Sequence, residues 1–213
     1  DLVTGHRGYG GGSLMALLLE KRYQLRGVDA DLFSSCSFFG DLAPVEEQIR
    51  DIRTLERCDL EGFQAVIHLA GLCNDPLGDI DPNLTMDINF HSTVKLAEIA
   101  KAAGVQRFVF ASSCSIYGAG GEEWLDEHSA LSPVTPYARS KMLSEQELTR
   151  LADDRFCPVF LRAATAYGAS PKLRFDLVLN NLSAWALTTG RVRLKSDGAA
   201  WRPLVHVEDL GRA

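Results

Sequence analysis

The segment Thr4-Gly5-His6-Arg7-Gly8-Tyr9-Gly10-Gly11 joins an apolar run, Leu2–Thr4, to an apolar helical pattern, Leu14–Arg22. Glycines at 5, 8 and 11 remove Cβ atoms from a tight turn and let backbone approach a pyrophosphate. The helix that follows offers free N–H groups and the positive end of its dipole. Such spacing alone is weak, because ordinary strand-to-helix turns also carry glycine. Asp29 strengthens it: it closes the second strand, 18 residues after Gly11, where a carboxylate accepts hydrogen bonds from both adenosine ribose hydroxyls. A carboxylate there repels a 2′-phosphate and favours NAD over NADP, while Arg7 in the turn could reach such a phosphate and pulls the other way.

A second constellation lies downstream. Tyr137-Ala-Arg-Ser-Lys141 puts a phenol and an ammonium on one face of a helix; alone, this spacing is common on helix surfaces. Upstream, Ser112-Ser113-Cys114-Ser115-Ile116-Tyr117-Gly118 follows an apolar strand, at the edge where open α/β sheets bind ligands.

The elements that must position these residues are legible as alternation. Strands are expected at Leu2–Thr4, Gln24–Asp29, Ala65–Leu69, Arg107–Ser112 and Pro158–Leu161, and helices at Leu14–Arg22, Leu84–Ala103 and Tyr137–Ala152. Ala65-Val-Ile-His-Leu-Ala and Phe108-Val-Phe-Ala are apolar throughout, as suits strands covered on both faces. The pattern implies an α/β fold, a doubly wound parallel Rossmann sheet. Residues 1–165 are expected to hold the dinucleotide and the catalytic residues, and 166–213 to begin a small substrate-binding part. Only four residues before Gly5, and a C-terminus that stops as a helix begins, give the expectation of a chain cut from a longer protein.

Composition sets limits. The 213 residues carry 22 Lys and Arg against 28 Asp and Glu, a net charge of −6, which argues against a nucleic-acid partner. No apolar run reaches the ~20 residues of a membrane span. Five unclustered cysteines suit a reducing, cytoplasmic setting, and no histidine or cysteine spacing predicts a metal site.

Taken in order, the motifs identify a resemblance. Thr4-Gly-x-x-Gly-x-x-Gly11, Asp51-Ile52, His68-Leu-Ala-Gly71, Asn89, Ser112-Ser113…Tyr117-Gly118, Tyr137-x-x-x-Lys141, Leu161-Arg162…Tyr167-Gly168 and Arg202-Pro-Leu-Val-His206-Val-Glu-Asp209 run through essentially the whole chain. The sequence resembles the extended short-chain dehydrogenase/reductases, in their NAD-dependent nucleotide-sugar epimerase/dehydratase branch. The resemblance implies that Tyr137 exchanges a proton with a substrate hydroxyl and that Lys141 lowers the phenol's pKa and holds the nicotinamide ribose. Ser113 would bond the same substrate oxygen. Gly5, Arg7, Gly8, Tyr9, Gly11 and Asp29 would hold the dinucleotide, with Asp51 and Ile52 at the adenine. Leu69, Ala70, Gly71 and Ser112 would line its path, and Asn89 would buttress the active-site backbone. Cys114, Ser115, Asn180 or Asn181, and Arg202 would face a nucleotide-diphosphate sugar, Arg202 against its phosphates. Plainer roles stay open: turn satisfaction for Ser112 and Ser115, a solvated loop acid for Asp51, and core packing for His68, His206, Trp185 and Trp201. Family dimers pack two helices per subunit, so Leu84–Ala103 and Tyr137–Ala152 are the dimer candidates.

The resemblance also bears on the reaction. Sugar 4,6-dehydratases carry an Asp-Glu pair directly after the catalytic Ser or Thr, where this chain has Cys114 and Ser115. The expectation is an epimerase working through a transient keto-sugar. A dehydratase, decarboxylase or reductase of the same branch, and a catalytically silent dinucleotide-binding module, are the alternatives.

Overall fold

A computed structural model describes residues 1–38, 40, 42–73, 78, 80–118, 124–194, 196–199 and 201–213. The distinctive loop segment 74–77 and residues 39 and 41 of the Cys36–Asp41 loop lie outside them. Six parallel strands form the main sheet: β1 (Leu2–Thr4), β2 (Arg26–Asp29), β3 (Glu46–Ile49), β4 (Ala65–His68), β5 (Arg107–Ser113) and β6 (Cys157–Ala163). Their order is β3-β2-β1-β4-β5-β6, so the chain winds outward from β1 in both directions, as in a Rossmann sheet. A separate parallel pair joins β7 (Thr165–Tyr167) to β8 (Leu204–His206).

Adjacent residues of β1 face opposite sides of the sheet. Leu2 enters a core with Val66, Phe108, Phe110, Leu96, Leu148 and Phe156, while Val3 packs with Leu14 and Met15. Helix α1 (Tyr9–Glu20) supplies the second face. The sequence pattern places its start at Leu14; it begins at Tyr9 because Gly10, Gly11 and Gly12, which show no apolar period, form its first turn.

The expected helix 84–103 is three pieces: α2 (Pro82–Met86), a π turn (Asp87–His91) and α3 (Ser92–Ala103). Pro82 starts the first piece, with Asp81 accepting from the N–H groups of Asn83 and Leu84. Helix α4 (Pro136–Leu151) likewise opens on a proline, capped by Thr135. Strand β3 was not expected: Glu46-Glu47-Gln48-Ile49 has no apolar alternation and forms through ladder bonds to β2. Helices α5 (Val178–Thr189) and α6 (Val207–Arg212) complete the chain. No helix among the described residues is long and apolar enough to cross a membrane.

Candidate active site

The glycine turn is tight enough to exclude side chains at two of its three spaced glycines. Gly5, at φ +75°, donates to the Val28 carbonyl at 2.8 Å, and a Cβ there would stand 2.5 Å from the Ala70 nitrogen. A Cβ on Gly11 would stand 2.2 Å from the Gly5 oxygen; on Gly8, whose N–H donates to that same oxygen, the gap would be 3.2 Å. Helix α1 starts here with no side-chain cap and no acidic residue in its first turn. This is a cradle that Cβ atoms would fill, beneath a 12-residue helix whose positive end has no side-chain cap among the described residues, and it fits a dinucleotide pyrophosphate. Leu69, Ala70 and Gly71 follow β4 alongside, the Leu69 N–H donating to the Thr4 carbonyl at 3.0 Å.

Asp29 closes β2 beside the cradle. One carboxylate oxygen accepts from the Arg7 N–H at 3.0 Å, the other from the Asp31 N–H at 2.8 Å. The Arg7 guanidinium turns to Glu47, at 2.8 and 2.5 Å, and to Asp31, at 3.0 Å. Glu47 also meets His6 Nε2 at 2.7 Å. The guanidinium and His6 hold the Glu47 carboxyl down to about 2. Farther along, Asp51 caps the turn Ile52–Thr54 and pairs with Arg53, and Ile52 is part of the main core.

Ser113 ends β5, and Tyr137 and Lys141 rise from the first turns of α4. Lys141 is buried; its ammonium donates to the Ala111 carbonyl at 2.7 Å and lies 4.5 Å from the Phe110 ring centre and 5.6 Å from that of Tyr137. Burial holds its pKa down to about 8. Ser113 Oγ accepts from the Ser115 N–H at 3.2 Å and from the Ser115 hydroxyl at 2.9 Å, which leaves the Ser113 proton free to donate outward. Cys114 is half-buried, and burial pushes its thiol pKa up against the pull of Arg202. The Ser112 hydroxyl instead donates inward to Glu145 at 2.5 Å; Glu145 pairs with Arg162, which reaches the Tyr117 hydroxyl at 2.9 Å.

Asn89 grips the loop after β4, accepting from the Leu72 N–H at 2.7 Å and donating to the Leu72 carbonyl at 2.8 Å. A buried relay fixes Asn89 in turn. Thr93 donates to the Asn89 carbonyl at 2.8 Å, so it must accept from His68 Nε2 (2.8 Å), and His68 Nδ1 then accepts from the Thr4 hydroxyl (2.6 Å). Burial and the Lys141 charge lower the His68 pKa to about 3. His68 is a neutral core residue that ties the glycine strand to Asn89.

The C-terminal residues join this centre unevenly. Tyr9 donates to the Gly168 carbonyl at 2.8 Å and accepts from the Asn180 amide at 3.3 Å. The Asn180 side chain also bonds Gly168 N and the Arg174 carbonyl, so it braces backbone. Asn181 donates to the Phe175 carbonyl and lines an open cavity of about 240 Å³ with Phe175, Ala184, Trp185 and Thr188. Arg202 is exposed, makes no hydrogen bond or ion pair with the described residues, and its charge acts on Cys114. His206 caps α6, its Nδ1 accepting from the Glu208 N–H at 3.4 Å.

With this geometry, the relationship to known proteins is direct: the profile of the NAD dependent epimerase/dehydratase family matches residues 2–213. The chain belongs to that family. The UDP-glucose 4-epimerase of Neisseria meningitidis serogroup A is 30% identical over 236 residues, covering 98% of this chain and 70% of that protein. The UDP-glucose 4-epimerase of Bacillus subtilis is 28% identical over 235 residues, covering 98% and 69%. Among solved structures, MoeE5 in complex with UDP-glucose and NAD superposes with a TM-score of 0.85 at 29% identity, covering 99% of this chain and 69% of that one. TunA, an NAD-dependent NDP-hexosamine 5,6-dehydratase of tunicamycin biosynthesis, superposes with a TM-score of 0.88 at 25% identity over the same shares. The family is NAD-dependent and its members are epimerases and dehydratases, so membership gives enzyme class and cofactor and leaves the individual reaction open.

Several residues at the site escape sequence reasoning. Arg174 donates to Cys73 Sγ at 2.9 Å and to the Cys73 carbonyl at 3.1 Å, is paired with Asp176, and its charge is felt at Tyr137. No motif surrounds it, and its partner is 101 residues away. Glu145 has a signal that went unread: it lies four residues after Lys141, one turn along the same helix face.

Proposed function

We propose that this chain is an NAD-dependent epimerase of a nucleotide-diphosphate sugar that works through a transient keto-sugar. One observation carries the choice within the family: the two positions after Ser113 hold a half-buried thiol, Cys114, and a hydroxyl, Ser115, that is bonded back to Ser113. Neither is a carboxylate able to drive the elimination step of ordinary 4,6-dehydration.

In this reading Gly5, Gly8, Gly11 and Asp29, with the turn residues Arg7 and Tyr9, hold the dinucleotide, and Lys141 holds its nicotinamide ribose. Bound NAD supplies a reversible hydride acceptor for the sugar carbon. Tyr137 takes the proton of the sugar hydroxyl and later returns it. An ordinary phenol titrates near 10; the Lys141 ammonium, fixed by the Ala111 carbonyl, stabilises the phenolate. Ser113 donates its remaining proton to the same sugar oxygen. Arg202, without a hydrogen-bonding or ion-pair partner among the described residues, meets the substrate diphosphate with a planar pair of donors. Asn181 lies at the sugar-nucleotide side. Asp51 and Ile52 flank the adenine, while Leu69, Ala70, Gly71, Ser112 and Asn89 shape the wall. The same reading carries a homodimer built on α3 and α4, which sedimentation tests, and a cytoplasmic setting.

The experiment is incubation of the chain with NAD and a panel of UDP-, dTDP-, GDP- and CDP-sugars, analysed by NMR and mass spectrometry. Epimerisation gives unchanged mass with one inverted stereocentre. A product lighter by one water or by carbon dioxide overturns the epimerase in favour of a dehydratase or a decarboxylase. NAD binding with no conversion of any sugar leaves a silent dinucleotide-binding module.

A further inference from the structure

Arg7 is the only cation of the glycine turn, and it does not point an idle guanidinium at the ribose edge. Glu47 takes it through two bonds, Nε to Oε2 at 2.8 Å and a terminal nitrogen to Oε1 at 2.5 Å, the paired geometry that suits guanidinium and carboxylate. Asp31 takes the other terminal nitrogen at 3.0 Å. Both carboxylates are in place for backbone reasons. Glu47 stands opposite Gly27 in the β2–β3 register, and the missing Cβ of Gly27 leaves room for the His6 ring, which would lie 2.5 Å from it. That ring braces Glu47 at 2.7 Å. Asp31 sits at φ +49°, held by its own N–H to Asp29.

The edge of the site therefore carries one guanidinium against three carboxylates, Asp29, Asp31 and Glu47. We propose that Glu47 and Asp31 sequester Arg7, and that this clamp, added to Asp29, sets the preference for a dinucleotide with a free 2′-hydroxyl over one with a 2′-phosphate. A 2′-phosphate could recruit Arg7 only by breaking its bonds to Glu47 and Asp31, leaving Glu47 with His6 alone and the part-buried Asp31 without its cation beside the incoming charge. Arg7 is thus a latent phosphate ligand and Glu47 is the residue that keeps it latent. This inference rests on the dinucleotide site proposed above.

The test measures NAD and NADP binding by titration calorimetry on the whole chain, without any turnover. The double variant Glu47→Gln/Asp31→Asn keeps size at both positions, and asparagine tolerates the positive φ of residue 31. It should bind NADP about tenfold or more tighter than the unsubstituted chain, the scale of one charge-assisted bond pair, with NAD affinity held within about threefold. Adding Arg7→Met to the double variant should erase the gain. An unchanged NADP affinity in a double variant that still binds NAD overturns the clamp, as does a gain that survives Arg7→Met. If the double variant fails to fold, Glu47→Gln alone should give a rise of about threefold in NADP affinity, and no rise overturns the proposal. An unsubstituted chain that binds neither dinucleotide would overturn the dinucleotide site itself, a result distinct from these.

Discussion

The sheet that carries the glycine turn and the segment from Thr165 onward are built differently. In the sheet, Leu2, Val3, Val66, Phe108 and Phe110 are closed from solvent, and the polar groups of Thr4 and His68 are linked through Thr93 to Asn89. In the later segment, α5 buries no residue, Leu187 is 89% exposed and Trp201 is 96% exposed. Yet this open segment reaches the site through defined bonds, Tyr9 to Gly168 and Asn180, and Arg174 to Cys73. The difference teaches a division of labour. Under the proposed function, redox alignment, which needs groups fixed to fractions of an ångström, falls to the packed sheet. Under the same proposal, substrate choice falls to elements with few buried contacts, which are drawn from the less stable part of a fold.

The largest effect should come from the rigid side. Tyr137→Phe deletes one oxygen, keeps the ring beside Lys141, and should lower turnover between about a hundredfold and ten-thousandfold, with NAD affinity retained by calorimetry. Turnover within threefold of the unsubstituted chain would remove Tyr137 from proton transfer. Stability should divide the same way. Phe108→Ala empties a site closed from solvent and should cost about 3–5 kcal/mol in urea unfolding. Leu187→Ala, on exposed α5, should stay within about 0.5 kcal/mol. Equal costs would erase the distinction between the regions.

How much of this was legible follows the same line. The glycine turn, Asp29 and the Tyr137–Lys141 pair could be read because each depends on local spacing beside an apolar strand. The core placement of His68 was legible for the same reason, whereas the role of Asn89 came only from the family resemblance. Strand β3 was not, because Glu46-Glu47-Gln48-Ile49 is held at a sheet edge by backbone pairing alone. The partner of Arg7 was hidden with it. Helix α5 was hidden because its apolar residues have no core to periodically face. The split of 84–103 at Asp87–His91 left no mark in the apolar pattern, which runs through the π turn.

Lys141 sharpens the comparison with pH, because function and stability should move in opposite directions there. Its pKa is about 8 when folded, against an ordinary 10.5, owing to burial. Between these values the unfolded chain holds the proton that the folded chain has released, so the burial penalty, complete below about pH 8, is relieved as pH rises. The unsubstituted chain should therefore gain up to about 3 kcal/mol relative to Lys141→Met between pH 8 and 10.5 in urea unfolding. Turnover should fall over the same window as the ammonium beside Tyr137 disappears. A difference in stability that is flat with pH would mean that Lys141 is not the buried cation described.

The smallest effect tests the cradle by its one permissive glycine. Gly10 lies in the first turn of α1, and a Cβ there meets nothing within 4 Å, whereas on Gly11 it would strike the Gly5 oxygen. Gly10→Ala removes backbone freedom from the unfolded chain with no clash in the folded one. It should stabilise the free protein by about 0.5–1 kcal/mol and raise Tm by roughly 1–4 °C for a chain of this size. A lowered Tm would mean that the start of α1 is packed against something at Gly10. The turn would then owe its shape to contacts at all three helical glycines, not to the single close approach of Gly11 to Gly5.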